Sequence, residues 1–294
     1  MNLVKNIYKK KIKKNFIDNI NEKKLRKDLH YKKTLELWGL NNHKNNKNKY
    51  VASNTHVEKV ISEFPINRKI QNFLEIGCGD GIDLKYFIKN YKIQNYYALE
   101  IGNNIYNLYK KSLFKKVNFC RGDALNLIYK NNSFNLIYSY GVFHHTKNLN
   151  KCLQECKRVL KKNGILIFYN YKKHTNIIKK IGVYIENILL NFFKNFKYDQ
   201  VKIFCYIISP LILLIFSYPS KLLKFLGNKS LYKKFPLWWG LVPNDIILDL
   251  TDRIYAPINI RMTKNQITKV LSNIGFTKIE VKEVRDGLFV KVIK

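Results

Sequence analysis

Three glycines alternate with other residues in the segment Glu75-Ile76-Gly77-Cys78-Gly79-Asp80-Gly81, which follows a short apolar run. Glycine lets a backbone turn tightly and approach a ligand closely. A helical pattern begins near Asp83, and the free N–H groups at a helix N-terminus bind carboxylates and phosphates. Glu100 ends the next apolar run, where nucleoside-binding sheets carry an acid that accepts hydrogen bonds from ribose hydroxyls. This spacing indicates a site for a ligand that contains a nucleoside.

Short apolar runs alternate with helical patterns through most of the chain, and such alternation predicts a parallel sheet covered by helices on both faces. The runs lie at residues 73–76, 96–100, 117–120, 134–138, 164–169, 279–283 and 288–293. The last two runs are separated by a short polar segment and predict an antiparallel hairpin. We therefore predict an α/β fold with a seven-stranded, mostly parallel, doubly wound sheet that ends in an antiparallel hairpin.

Four segments, taken together, resemble the class I S-adenosylmethionine-dependent methyltransferases. They are Glu-x-Gly-x-Gly-x-Gly at 75–81, Arg121-Gly122-Asp123-Ala124, residues 134–145 with Tyr140-Gly141-Val142-Phe143-His144-His145 at the end, and residues 155–164. The first differs from the dinucleotide fingerprint, Gly-x-Gly-x-x-Gly. The family usually carries Asp in place of Asn135 and Pro-Gly-Gly near 162–164, where this chain has Lys162 and Asn163. The resemblance covers residues 55–172 and, more loosely, residues 262–294.

The resemblance implies S-adenosylmethionine as the cofactor and a Rossmann-like core that holds it. By this resemblance Asp123 holds the adenine amino group and Tyr140 forms a wall of the cofactor pocket. The residues that we expect to bind the cofactor are Glu75, Gly77, Gly79, Gly81, Glu100, Ile101, Asp123, Ala124 and Tyr140. No metal site is expected, because the five cysteines lack metal-ligand spacing.

His144 and His145 follow the fourth strand and are the candidate catalytic residues. The methyl group of the cofactor is already activated, and alignment alone can contribute about 7–11 kcal/mol. A base is needed for a hydroxyl acceptor but not for a phenolate or a carboxylate. Alternatively, one of these histidines packs or caps the next helix. The candidate acceptor contacts are Tyr169, Asn170, Tyr171, Trp238, Trp239, Asp252 and Tyr255, and cap packing is the alternative for the two tryptophans.

Changes in pattern divide the chain into four regions. We predict a basic, partly helical N-terminal arm (1–50), a cofactor-binding core (51–174), a helical substrate cap (175–260), and the last helix and strands of the core (261–294). Residues 203–220 carry no charge and reach the lower length limit for a membrane span. A single span would separate the terminal hairpin from the first five strands. We therefore expect a cap of apolar helices, and a helical hairpin that enters one leaflet, formed with residues 177–193, is the alternative.

The chain has 294 residues and a net charge of +34. One interpretation is a polyanionic partner, either nucleic acid or an anionic membrane. The other is compositional bias from AT-rich coding sequence, although that bias should raise the number of Glu residues as well as Lys. We expect reduced cysteines and a cytoplasmic protein, or one that lies peripherally at the inner face of a membrane.

The expected function is transfer of a methyl group to O or C of a small or amphiphilic acceptor, such as a quinone precursor or a lipid-linked sugar. The first alternative is RNA methylation, which the charge favours. The absence of an Asn/Asp-Pro-Pro-Tyr or a Pro-Cys motif after the fourth strand opposes nucleobase methylation. The second alternative is a non-catalytic binding module, against which the intact Glu75, Glu100 and Asp123 argue.

Overall fold

The computed structural model describes residues 3–5, 12–13, 15–39, 54–227, 243–284 and 286–294. These residues form two compact units, one made of Met1–Lys172 with Ile260–Lys294 and the other of Lys173–Asn259. We call them the sheet unit and the helical unit. The helical unit spans nearly the same residues as the predicted region 175–260, whose role as a substrate cap stays a prediction. The described part of the N-terminal arm belongs to the sheet unit.

The described residues of the sheet unit form one ten-stranded sheet in the order β1-β2-β5-β4-β3-β6-β7-β10-β9, with β8 paired to β7. The strands are β1 Ile12–Lys13, β2 Phe16–Asp18, β3 Asn72–Ile76, β4 Asn95–Glu100, β5 Val117–Arg121, β6 Phe134–Ser139, β7 Leu160–Lys172, β8 Arg261–Met262, β9 Thr277–Glu283 and β10 Gly287–Ile293. Strands β2 to β7 pair in parallel, whereas β10 runs antiparallel to both β7 and β9. The predicted fold is confirmed, and β1, β2 and β8 extend it.

Helices cover both faces of this sheet or make up the helical unit. They are α1 Glu22–Leu25, α2 Leu29–Thr34, α3 Asn54–Glu63, α4 Ile82–Asn90, α5 Ile105–Tyr109, α6 Leu149–Val159, α7 Ile177–Phe192, α8 Tyr198–Ile212, α9 Tyr218–Phe225, α10 Pro243–Tyr255 and α11 Lys264–Ile274. Two hydrophobic clusters lie on opposite faces, one containing Leu74 and Ile137 and the other Phe73 and Leu136. Every residue of β3 is buried, as expected for a central parallel strand between two helical layers.

The N-terminal arm contains the helices α1 and α2 and also two strands, β1 and β2, that the sequence did not indicate. Phe16 lies in β2, and β2 pairs in parallel with β5, which would otherwise be an edge strand. This pairing satisfies backbone groups that an edge strand would leave exposed. Arg121 on β5 is almost fully buried, and its guanidinium lies 2.8 Å from Glu22 and 3.6 Å from Asp18 of the arm. The arm therefore supplies the carboxylates that a buried cation needs.

Candidate active site

The glycine loop between β3 and α4 is closely packed against the protein at both ends and open in its middle. Gly77 and Gly79 have φ values of 74° and 49°, in the left-handed region that favours glycine. A Cβ atom on Gly77 would lie 2.1 Å from Cγ2 of Val142, whereas one on Gly79 would meet nothing within 4 Å. Gly81 ends the loop with a φ of 77° and precedes the first residue of α4. The loop therefore leaves room for a ligand beside Gly79.

Glu100, at the carboxyl end of β4, forms a hydrogen bond with this loop. Its side chain accepts hydrogen bonds from the backbone N–H groups of Gly79 (3.0 Å), Ile101 (2.8 Å) and Gly102 (2.9 Å). Burial raises the pKa of this carboxyl group, and the three N–H donors oppose that shift. A carboxylate has about four acceptor positions, so one position remains for a donor such as a ribose hydroxyl.

Glu75 contributes a buried carboxyl oxygen that fits a cationic ligand. Its Oε2 atom has no hydrogen-bond partner among the described residues. Burial, followed by the nearby charges of Asp83 and Glu100, raises the pKa of Glu75 well above its usual range. A cation placed here would lower that pKa and give the oxygen a partner. The amino group of S-adenosylmethionine is such a cation, so the residues fit the cofactor.

His56 joins this site although no sequence motif points to it. The residue lies on α3, and its Nε2 atom is 2.8 Å from Oδ1 of Asp83 in the first turn of α4. Its ring also lies 4.2 Å from the ring of Tyr140 (centroid to centroid). His56 therefore connects the glycine loop to the residues that follow β6.

Asp123 is already hydrogen-bonded to the N-terminal arm. The hydroxyl of Tyr31 on α2 donates to Oδ2 of Asp123 at 2.5 Å, and the backbone N–H of Leu125 donates to Oδ1 at 2.9 Å. Burial and the neighbouring Asp123 raise the pKa of Tyr31, so the hydroxyl remains a donor. Ala124 is buried beside this aspartate. Tyr31 therefore occupies one oxygen of the carboxylate that the family resemblance assigns to the adenine amino group.

An aromatic cluster lies at the carboxyl ends of β6 and β7. The ring of Tyr140 stacks on that of Tyr169 with centroids 4.6 Å apart, and the ring of His144 lies 3.8 Å from that of Tyr171. The guanidinium carbon of Arg261, on the adjacent β8, is 5.5 Å from the centre of the Tyr171 ring. Sequence reasoning missed Arg261, because only strand pairing places it beside Tyr171. Three of the predicted residues, Tyr140, Tyr169 and Tyr171, thus lie together with both predicted histidines.

The two candidate catalytic histidines occupy a turn of 3-10 helix, Phe143–His145, after β6. His144 is fully buried, and burial together with the adjacent His145 lowers its pKa well below the usual value. It is therefore neutral, which is the state that a proton acceptor needs. The ring of His145 packs 4.7 Å from that of Trp38. The structure gives these residues packing contacts, and their catalytic role stays a prediction.

The other predicted acceptor contacts are more dispersed. Asn170 is fully buried, and its side-chain N–H group donates to the backbone oxygen of Tyr171 at 2.8 Å. Tyr255 and Asp252 belong to the helical unit, where the Tyr255 ring is buried 5.6 Å from that of Tyr198. The roles of these residues stay predictions. Trp238 and Trp239 lie outside the described residues.

Within the described ranges, no group of three or more His, Cys, Asp or Glu side chains could hold a metal ion. The five cysteines are free and buried.

Comparison with known proteins gives one family match and several partial relatives. Residues 74–168 match the family described as methyltransferase domain. Norajmaline N-methyltransferase of Rauvolfia serpentina is 30% identical over 117 residues, which cover 38% of this chain and 39% of that protein. An uncharacterized protein of Methanocaldococcus jannaschii is 32% identical over 155 residues, covering 51% of this chain and 53% of that protein.

A third relative is phthiotriol/phenolphthiotriol dimycocerosates methyltransferase 1 of Mycobacterium ulcerans. It is 26% identical over 131 residues, which cover 44% of this chain and 45% of that protein. The chain therefore spans about half, or less, of the length of the relatives that it matches.

Proposed function

We propose that this chain, whose residues 74–168 form a methyltransferase domain of the class I S-adenosylmethionine-dependent family, methylates a small or amphiphilic acceptor. The bound cofactor supplies an electrophilic methyl group on a positively charged sulfur. The task of the protein is to align the methyl group with a nucleophilic oxygen or carbon and to exclude water.

Each end of the cofactor has a matching acceptor in the sheet unit. Glu75 would accept from the amino group of the amino-acid portion, and the free acceptor position of Glu100 would take a ribose hydroxyl. Asp123 would accept from the adenine amino group once the hydroxyl of Tyr31 no longer donates to its Oδ2 atom. The open space beside Gly79 would accommodate part of the cofactor. The unpartnered oxygen of Glu75 is the observation that most supports this proposal, because a buried carboxyl group without a partner is costly.

The aromatic cluster supports the choice of acceptor. Tyr140, Tyr169 and Tyr171 offer broad apolar faces with hydroxyl tips, a combination suited to a ring or an isoprenoid chain with a polar end. The names of two relatives, a norajmaline N-methyltransferase and a phthiotriol/phenolphthiotriol dimycocerosates methyltransferase, support an acceptor of this kind. His144, whose ring lies 3.8 Å from that of Tyr171, is the proposed proton acceptor for a hydroxyl acceptor.

RNA is the second candidate acceptor, and the net charge of +34 favours it. Phosphate contacts from lysines would give affinity that falls steeply with salt. The site itself offers aromatic rings on which a base could stack. This alternative therefore differs from the first in its substrate and not in its cofactor.

Transfer of a labelled methyl group tests the proposal. The purified protein is incubated with labelled S-adenosylmethionine and with the lipid, small-metabolite and RNA fractions of the source cells, each in turn. We expect label in the lipid or metabolite fraction, and loss of that label with Glu100→Gln. Glu63→Gln, at an exposed carboxylate 3.9 Å from Lys282, is the matched control and should retain the activity.

Three other results would change the proposal. Label in RNA alone would replace the acceptor class. Label that persists unchanged in Glu100→Gln would contradict the assigned cofactor site. Cofactor binding without label in any fraction would favour the non-catalytic binding module.

A further inference from the structure

Helix α7 of the helical unit is inverted relative to an ordinary amphipathic helix in water. Its exposed stripe is apolar and consists of Ile177, Ile181, Tyr184, Ile185, Ile188 and Phe192, each at least half exposed. Its buried side carries Glu186, which is 8% exposed and accepts a hydrogen bond from Asn259 at 3.0 Å. Arg253 of α10 lies 3.7 Å from the same carboxylate. The charged Glu186 therefore faces α10, whereas the aliphatic side chains of α7 are exposed.

The next helix repeats this inversion. Helix α8 continues through a π-helical turn, Leu213–Ser217, into α9. Its buried stripe is rich in small and polar side chains: Val201, Cys205, Ser209, Leu213, Ser217 and Ser220. Its exposed stripe is formed by large apolar side chains: Ile203, Ile207, Leu211, Leu214, Tyr218 and Leu222.

The two exposed stripes point away from the same helix, α10. The buried Glu186 of α7 is directed at Arg253 of α10. The buried Cys205 of α8 lies beside the side chain of Thr251, also on α10. Both helices therefore turn polar residues toward α10 and leave their apolar stripes exposed. We call the side chains of these two stripes the apolar face.

Water is a poor solvent for such a surface. Soluble monomers rarely expose a continuous apolar patch of more than a few hundred square ångströms, and larger patches mark sites of interaction with proteins or membranes. A helix whose hydroxyl groups point inward and whose Ile and Leu residues point outward suits a hydrocarbon environment. The inversion is more informative than hydropathy alone, because a buried core helix would face the other way.

The charge around the apolar face identifies the lipid. Residues 177–227 contain seven lysines and two acids, and one of the acids is the buried Glu186. Lys202 and Lys221 flank the uncharged segment, each with its ammonium group near a tyrosine ring (5.9 Å from Tyr206 and 5.3 Å from Tyr218). Lysine and tyrosine at the edge of an apolar segment are typical of the headgroup region of a bilayer. A lysine-rich rim attracts anionic headgroups.

We infer that the apolar face inserts into one leaflet of an anionic membrane, so that the chain is a monotopic membrane protein. The helix Tyr198–Leu223 has 26 residues and is the one helix of the described residues that is long and apolar enough to cross a bilayer. A single crossing is incompatible with the sheet. Tyr171, just before the helical unit, pairs with Arg261, just after it, so the chain enters and leaves at neighbouring positions. Insertion into one leaflet satisfies both observations.

This inference is independent of methyl transfer, and vesicle flotation tests it without any activity measurement. The full-length chain is mixed with vesicles of phosphatidylcholine alone or with about 30% phosphatidylglycerol. We expect the protein to float with the anionic vesicles and to be released only in part by high salt, because apolar insertion persists when charges are screened.

Paired variants distinguish vesicle partitioning through the apolar face from nonspecific hydrophobic binding. Ile207→Gln with Leu214→Gln removes two exposed residues of the apolar face, and vesicle partitioning should fall by about tenfold or more. Leu29→Gln with Leu113→Gln removes two exposed leucines of the sheet unit and should leave partitioning unchanged. Circular dichroism of both pairs checks that they fold.

Two results would overturn the inference. The first is a wild-type chain that stays in the aqueous fraction with both kinds of vesicle. The second is a stable dimer in light scattering that the apolar-face variant converts to a monomer, because a second copy would then be the occupant of the face.

Discussion

The two units of this molecule arrange similar apolar residues in opposite ways. In the sheet unit apolar side chains are enclosed, and its exposed large hydrophobic residues are Leu29, Tyr106 and Leu113. All other such residues among those described lie in the helical unit, between Ile177 and Leu226. Burial from water thus accounts for the stability of the sheet unit. The helical unit shows that composition alone does not reveal whether apolar side chains are buried or exposed in the folded chain.

The largest expected effect concerns the close packing of the sheet unit. Gly77→Ala should lower the free energy of unfolding by about 2–5 kcal/mol for two reasons. An alanine at this position is strained by the positive φ, and its Cβ atom would clash with Val142. Gly79→Ala meets no neighbour and should cost only the strain, about 1–2 kcal/mol, while reducing cofactor affinity. Urea unfolding measures both, and Val142→Ala should recover part of the loss at Gly77. Equal losses at the two glycines would contradict this packing.

A smaller effect tests the inversion in the helical unit. Glu186→Leu should destabilise this unit by about 1–3 kcal/mol, because it removes a charged acceptor of the Asn259 amide, which keeps only the backbone oxygen of Arg253, and a partner of the Arg253 guanidinium. Ile185→Gln, at the neighbouring exposed position, should change stability by less than about 0.5 kcal/mol. Chemical unfolding in mild detergent compares the two variants. The reverse ranking, which an ordinary soluble helix would give, would refute the inversion.

A pH-dependent effect belongs to the sheet unit. The lowered pKa of buried His144 keeps its ring neutral when folded, whereas the unfolded chain takes up a proton near pH 6.5. Its contribution to stability is therefore complete above pH 6.5 and is lost as the pH falls, by up to about 1.4 kcal/mol per pH unit. His144→Phe should reduce this slope in unfolding measurements between pH 6.5 and 4.5. An unchanged slope would show that His144 is not buried.

The smallest effect concerns the contact between the arm and the cofactor site. Tyr31→Phe removes the hydroxyl that occupies Asp123, so adenine no longer has to displace it. Cofactor affinity should rise about two- to tenfold, in line with a hydrogen bond worth about 0.5–1.5 kcal/mol. Titration calorimetry measures the change, and Tyr106→Phe, whose hydroxyl bonds Asp18 at the surface, is the control. A weaker affinity would mean that Tyr31 helps to bind the cofactor.

Local patterns predicted the sheet and the glycine loop, because strand periodicity and glycine spacing are written in consecutive residues. His56 and Tyr31 could not be found in this way, since each reaches the site from a separate element through a contact that spans many residues. Strand β2 has three residues, too few to show a period.

The helical unit shows a different limit of sequence reasoning. Hydropathy identified residues 203–220 as apolar but did not reveal which side of the helix packs against the protein. The exposure of Ile207 and the burial of Ser209, two residues away, emerge only from the packing of the folded chain. Asn170 illustrates the same point in the sheet unit, because strand alternation did not indicate that its side chain is fully buried.

Binding of S-adenosylhomocysteine, measured by titration calorimetry, tests the central claim most directly. The wild type and the exposed-site control Glu63→Gln should each bind one equivalent. Glu100→Gln should bind at least tenfold more weakly, because a charge-assisted hydrogen bond to ribose is worth about 1.5–3 kcal/mol. Absence of binding to the wild type, or equal affinity in Glu100→Gln, would contradict the assignment of the glycine loop and Glu100 as the cofactor site.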